Sequence, residues 1–331
     1  MSSNHHHSRR RLLRLALTAV ALGTVSFVST NVMAQAPKEI RVDFATYNPV
    51  SLVLKERGIL DKALAAEGIA VRWIQSAGSN KALEFLNAGS LDFGSTAGAA
   101  ALIGRVNGNP IRSVYVFSRP EWTALVTTPR TGVTRVADLK GRRVAVTRGT
   151  DPHIFLVRAL AEARLTERDV RLVLLQHQDG KLALERGDVD AWAGLDPLMA
   201  AAEIESGAVI FHRKAADNTW GILNVREEFA QKHPDLVRAV LKAYEEARQW
   251  SVENPAELRK LLVSFTKLPE PVVARQLERT ELTHGPVGQA QVDTIVAAGE
   301  ALKQVGILPA SVDVKAEVDG LFDRRFTAAA R

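Results

Sequence analysis

A seven-residue phrase occurs twice, and it constrains the fold more than any other feature of the chain. Leu86-Asn87-Ala88-Gly89-Ser90-Leu91-Asp92 recurs as Leu184-Glu185-Arg186-Gly187-Asp188-Val189-Asp190, 98 residues later. Each copy predicts a helix end, a glycine stop and entry into a strand. Glycine is favoured just past a helix because that residue often takes positive φ, which other side chains resist. The residues upstream agree. An apolar, β-branched run (69–74 in one copy, 170–175 in the other) leads through a polar turn into an amphipathic helix. A unit repeated once at so long a period predicts two similar lobes rather than a solenoid. Two lobes make a cleft, and a cleft between lobes is where a small ligand sits.

Strands and helices alternate through most of the chain. Strands are expected at 40–45, 69–75, 91–94 and 111–117, and helices at 51–66 (interrupted at Gly58), 81–88 and 97–106. A second unit repeats the order, with strands at 143–146, 170–176, 191–193 and 209–211 and helices at 151–163, 181–185 and 197–204. From Pro234 onward the pattern is mainly helical, with Pro255, Pro269 and Pro271 between helical stretches. This order predicts an α/β protein with a mostly parallel sheet in each lobe and helices on both faces. Two apolar segments, 122–127 led by Trp122 and 220–225 led by Trp220, border the second unit. They are ordinary strands, crossings between lobes, or both. If both cross, lobe 1 is discontinuous (37–122 plus 224–331) and lobe 2 is the insert 123–223. Two hinge strands then permit closure around a ligand.

The first residues do not belong to that fold. Arg9, Arg10, Arg11 and Arg14 precede an apolar run from Leu15 to Val28. The run is short for a membrane span, which needs about 20 residues. It fits a secretory signal over residues 1–34, with Val32-Met33-Ala34 as the cleavage site and a soluble, exported product. The arginines also resemble a twin-arginine export signal. His5, His6 and His7 fall in the removed segment and give no metal site. Taking these four arginines from the 43 basic residues leaves 39 against 37 acidic ones, which gives no case for a nucleic-acid surface. There is no cysteine, so disulfides, thiol catalysis and zinc–thiolate sites are excluded.

Three stretches carry a family resemblance. Val136-Ala137-Asp138-Leu139-Lys140-Gly141, followed by the strand ending at Val146, resembles a phrase of periplasmic solute-binding proteins with the type 2 fold. The phrase from Leu184 to Trp192, followed by Asp196-Pro197, is similar to the aliphatic sulfonate, taurine and nitrate-binding branch, as is Glu228-Phe229-Ala230-Gln231-Lys232-His233-Pro234. The resemblance runs from about Lys38 to the C-terminus. It implies the two-lobe type 2 fold with two hinge strands, no cofactor, and a monomeric receptor in the periplasm that hands a small oxyanion to the permease subunits of an ABC importer.

In open parallel sheets, ligands bind beyond the carboxyl ends of the strands. Those ends carry the candidates. Tyr47 and Asn48 follow the first strand, Gly78, Ser79 and Asn80 the second, and Ser95 and Thr96 the third. Gly149, Thr150 and His153 form the matching loop of lobe 2, and Trp192 and Asp196 close its third strand. Gly78 allows close backbone approach, and Ser79 or Asn80 either caps its helix or donates to an oxyanion. Asp151, before Pro152, is expected to cap its helix, the alternative being a contact with an amine-bearing ligand. Arg148 is a source of positive charge or a solvated side chain. Trp122, Trp192 and Trp220 are wall candidates, each with an apolar body and one N–H donor, Trp192 foremost. His284 is a family-implied visitor to the cleft.

An alkyl or aryl sulfonate is the first expectation for the ligand. Nitrate, bicarbonate, a thiamine-pyrimidine precursor and an amine-bearing compound remain alternatives, as does a sensing role. An exported hydrolase is the weaker rival. No Gly-x-Ser-x-Gly elbow, His-Glu-x-x-His motif, P-loop or dinucleotide fingerprint occurs.

Overall fold

The computed structural model describes residues 37–283, 285 and 287–327. The expected targeting segment over residues 1–34 with its expected cleavage site, and His284, lie outside them.

Eleven strands among the described residues form two sheets. The first contains β1 (Glu39–Phe44), β2 (Ala70–Gln75), β3 (Phe93–Ala97) and β4 (Ile111–Pro120). The second contains β5 (Leu125–Thr127), β6 (Arg143–Val146), β7 (Arg171–Leu174), β8 (Ala191–Ala193) and β9 (Val209–His212). The chain then returns to the first sheet with β10 (Gly221–Arg226) and β11 (Thr280–Glu281). The strand orders are β2-β1-β3-β10-β4-β11 and β7-β6-β8-β5-β9. Apart from the edge strand β11, the two orders are the same.

In each sheet the strands of the local βαβ units run parallel, and one antiparallel strand is inserted between them. β10 pairs antiparallel with both β3 and β4, and β5 pairs antiparallel with both β8 and β9. Each intruder is the first strand after the chain has arrived from the other sheet. The 122–127 and 220–225 segments therefore end as strands of these sheets. The passages themselves are residues 121–124 and 213–220.

The repeated phrase has one anatomy in both copies. Gly89 and Gly187 sit at φ +67° and +82°, ending the helices Ser79–Asn87 and His177–Arg186. The aspartate three residues on then ties this corner to the neighbouring strand. Asp92 Oδ2 accepts from the Arg41 backbone N–H (2.9 Å), and Asp190 Oδ2 from that of Arg143 (2.8 Å). Each arginine side chain reaches back to the glycine carbonyl, Arg41 to Gly89 and Arg143 to Gly187.

Helices cover both faces of each sheet. Ile40 and Val42 of β1 pack with Leu52, Leu60 and Val240, while Ile111 and Ile222 pack with Leu102, Ile295 and Leu302. Val144 and Val146 pack with Phe155 and Leu156, and Ala145 with Leu184 and Met199. A buried leucine, isoleucine or valine contributes about 1.5–3 kcal/mol. The late helices Pro234–Glu253 and Gln289–Gln304 thus belong to the first sheet's layers.

Candidate functional site

Helix starts from both sheets face one gap. The helix Ser79–Asn87 follows β2, and the helices Asp151–Glu162 and His177–Arg186 follow β6 and β7. Ser79, Thr150, Asp151, Pro152 and His177, all at these starts, line the gap. Tyr47, Trp122 and Leu195 complete the wall, around a nearly closed gap of about 10 Å³, room for about one water molecule. The first N–H groups of a helix lack intrahelical acceptors, and the macrodipole makes that end positive. Several such ends converging on one space favour an anionic group there. Larger hollows of about 700 and 420 Å³ lie elsewhere, but neither gathers helix starts from both sheets.

The wall is fixed by hydrogen bonds. The Tyr47 hydroxyl donates to the Ser95 carbonyl (2.9 Å), and the Tyr47 and Trp122 rings meet edge to face at 5.7 Å. Trp122 Nε1 donates to Asp151 Oδ2 (2.8 Å). Asp151 also accepts from Thr219 N (3.0 Å) and Thr219 Oγ1 (2.6 Å). One carboxylate thus joins both passages between the sheets. Burial raises the Asp151 pKa to about 6, opposed by the bonds from Thr219 and Trp122.

Asp151 does not cap its helix, contrary to expectation. Thr150 holds the cap position and Asp151 is the first helical residue. The Thr150 hydroxyl turns back to the Thr147 carbonyl (2.6 Å). Gly78, likewise, takes the cap position before Ser79, whose hydroxyl accepts from Ala97 N (3.0 Å). Asn80 Oδ1 is buried without a partner, and the Asn80 Cβ stands 3.9 Å from where a Cβ on Gly149 would lie.

Several expected contacts lie outside the cleft lining. Asn48 caps the helix Pro49–Glu56, accepting from Ser51 N (3.1 Å), and its amide donates to Ser95 Oγ (2.8 Å). Ser95 in turn donates from its N–H and hydroxyl to Asp43 (2.9 Å each), so both residues are committed beneath the sheet's edge. Burial raises the Asp43 pKa to about 6. Thr96 Oγ1 accepts from Asn224 (2.8 Å). His153 points its Nε2 at Glu167 Oε1 (2.8 Å), and Arg148 also turns toward Glu167 (3.7 Å). Trp192 is fully buried with Leu184 and Met199, and Trp220 lies among Ile154, Ile222 and Ile295. Asp196 accepts from Ala200 N (2.9 Å) and pairs with Arg279 (3.4 Å), which also binds Glu203. The Asp196 pKa is raised to about 7, chiefly by burial.

His177 lines the gap and was not among the expected residues. The signal lay in the repeat, since the 98-residue offset carries Ser79 onto His177. A residue so placed sits at the equivalent helix start in the other lobe. Among the described residues, no group of three or more His, Asp or Glu side chains is placed to hold a metal ion.

A family model described as NMT1/THI5 like matches residues 64–258, more than half of the chain. The chain belongs to the NMT1/THI5-like family. A Bacillus subtilis protein provisionally named aliphatic sulfonates-binding is 28% identical over 292 residues, 87% of each chain. An Escherichia coli protein of the same provisional name is 26% identical over 313 residues, 93% of this chain and 96% of that one. Among solved structures, the alkanesulfonate-binding protein of Xanthomonas axonopodis pv. citri, bound to MOPS, superposes with a TM-score of 0.78. It is 24% identical and covers 86% of this chain and 99% of that one. That likeness establishes the periplasmic binding protein fold for this member of the family.

Proposed function

We propose that the protein is the soluble periplasmic receptor of an ABC importer and binds a small organic oxyanion, a sulfonate first, between its lobes. The observation that carries this is the convergence of helix starts from two equivalent sheets on one gap. The lobes are residues 37–122 plus 224–331 and residues 123–223, hinged at the two passages. Residues 1–34 direct export and are removed near Ala34. The receptor works as a monomer, with the permease subunits as its protein partners.

The magnitudes support a site shared by both lobes. Micromolar affinity requires about 8 kcal/mol. One charge-assisted hydrogen bond contributes about 1.5–3 kcal/mol, and immobilising the ligand opposes binding by about 4 kcal/mol or more. A single helix end is too weak, so donors from both sheets act together. The sulfonate assignment also accords with the names of the relatives.

The test is a thermal-shift and calorimetric screen of sulfonates, carboxylates, nitrate and pyrimidines. A true ligand at 100 times its Kd raises stability by about 2.7 kcal/mol. Stabilisation by sulfonates without their turnover is the expected result. Stabilisation only by compounds lacking an anionic group overturns the ligand class, and steady conversion of a bound compound overturns the receptor assignment.

A further inference from the structure

His177 faces the cleft with an unused lone pair. Its ring is buried, 2% exposed, and Nε2 has no hydrogen-bond partner. Nδ1 lies 3.2 Å from Thr147 Oγ1. The same hydroxyl stands 2.7 Å from the Leu175 carbonyl oxygen. A carbonyl oxygen only accepts, so the single hydroxyl proton of Thr147 points at Leu175. Toward His177, Thr147 Oγ1 is therefore the acceptor, and Nδ1 carries the ring proton. In the neutral ring Nε2 is then bare. Burial lowers the His177 pKa to about 3, which keeps the ring neutral.

The surroundings have the same polarity. Asn80, in the first turn of the facing helix, holds a buried Oδ1 without a partner, and with its amide so oriented it is a second acceptor. A Cβ placed on Gly78 would lie 2.8 Å from Asn80 Oδ1 and 2.9 Å from His177 Nε2, too close to fit, so both polar atoms close on Gly78 and only its missing side chain lets them approach. Asp151 adds a carboxylate to the lining, and no lysine or arginine belongs to it. Helix starts supply donors for an anion, whereas these side chains supply acceptors. An acceptor left unpaired in a dry cleft costs about 1–3 kcal/mol, so a ligand lacking a donor is refused in proportion.

We infer that His177 determines specificity by accepting a hydrogen bond at Nε2, so that the preferred ligand is an organic anion that also carries an N–H donor. The inference rests on the oxyanion proposal. It adds that the anionic end meets the helix starts while the nitrogen meets His177.

The experiment compares 2-aminoethanesulfonate, ethanesulfonate and 2-aminoethanol by titration calorimetry on the purified protein and on His177→Phe. The expected result is that the aminosulfonate binds about tenfold tighter than ethanesulfonate, and that His177→Phe removes the difference. Equal affinities of the two sulfonates for the unaltered protein overturn the inference and leave the oxyanion proposal standing. If 2-aminoethanol binds as tightly as the aminosulfonate, the oxyanion proposal falls and the role of His177 stands. If no sulfonate binds, both fall. Should His177→Phe not fold, ¹⁵N spectra of the unaltered protein decide. A bare Nε2 whose resonance shifts on adding the aminosulfonate supports the inference, and a protonated Nε2 overturns it.

Discussion

A Cβ placed on Gly180 would meet Trp192 Nε1 at 2.7 Å and Cδ1 at 2.9 Å. Gly180 lies inside the helix His177–Arg186, where alanine ordinarily improves stability by about 1 kcal/mol. Here the sign reverses, because the atom in the way belongs to a rigid, fully buried indole. Gly180→Ala is expected to destabilise by about 1–3 kcal/mol, measured by urea unfolding, and Trp192→Phe in the same chain to relieve the clash. An equal or higher midpoint for Gly180→Ala alone would show that the ring yields. The same contact explains why Trp192 misleads as a cleft residue. Its place at the carboxyl end of a strand is legible in the sequence, but the face it takes is not. Alternation sends Trp192 to the side opposite Ala191 and Ala193, and only the packed helix Leu198–Ser206 with Gly180 decides which side is core. For His153 the missing fact is likewise a partner, Glu167, fourteen residues away on another turn.

At the scale of elements, the doubled phrase does more than stop two helices. Its aspartate binds the neighbouring strand of the sheet, β1 in one copy and β6 in the other, and the two copies differ in depth. The Asp92 side chain is 2% exposed and accepts from Arg41 (backbone and guanidinium) and Arg226. The Asp190 side chain is 21% exposed, and its nearest guanidinium stands 3.7 Å away. Removing a buried carboxylate strands its charged partners at about 3–5 kcal/mol, whereas a half-open backbone bond contributes about 0.5–1.5 kcal/mol. Asp92→Ala is therefore expected to cost severalfold more than Asp190→Ala in parallel urea titrations. Equal losses would mean that the shared backbone bond, not burial, carries the stabilisation. Most elements were legible because the periods of strand and helix are local properties. Residues 143–146 and 191–193 match the expected strands, and the helix expected at 51–66 does break at Gly58, into Pro49–Glu56 and Ile59–Ala65. The antiparallel insertions of β5 and β10 were not legible as such. A strand's direction depends on where the chain arrives from, and no single segment records that.

Among the described residues, three acids have burial that outweighs their hydrogen bonds: Asp43 and Asp151 with pKa about 6, and Asp196 with pKa about 7. They sit on β1, at the passages, and on the ion pair with Arg279 that joins the start of the helix Leu198–Ser206 to the end of the helix Glu270–Glu278. Each folded-state value lies above the unfolded carboxylate value of about 4. The folded chain thus holds more protons than the unfolded one between about pH 4 and pH 7, and stability falls as pH rises through that window. Other carboxylates act in the opposite sense. Hydrogen bonds from Thr134 and Arg135 hold Asp138 down at about 2, and the bond from His153 lowers Glu167. Their contribution is present above about pH 4 and is lost below it as they take up protons. The two trends cross, so maximal stability is expected at mildly acidic pH, near 4–5, rather than at neutrality. Near pH 5 these acids approach three bound protons, but the neutral His177 ring, with pKa about 3, offsets about one, leaving a slope on the order of 3 kcal/mol per pH unit as an upper bound. Asp43→Asn, which cannot ionise, should flatten that slope by about half. Urea unfolding at intervals from about pH 3 to pH 8 measures both, and stability that climbs steadily from pH 4 to 7 would mean that the three acids are not held protonated together. Because Asp151 lies in the cleft lining as well as on both passages, the same titration repeated with a bound aminosulfonate should move the descending limb toward higher stability by the linkage of ligand to the folded state alone.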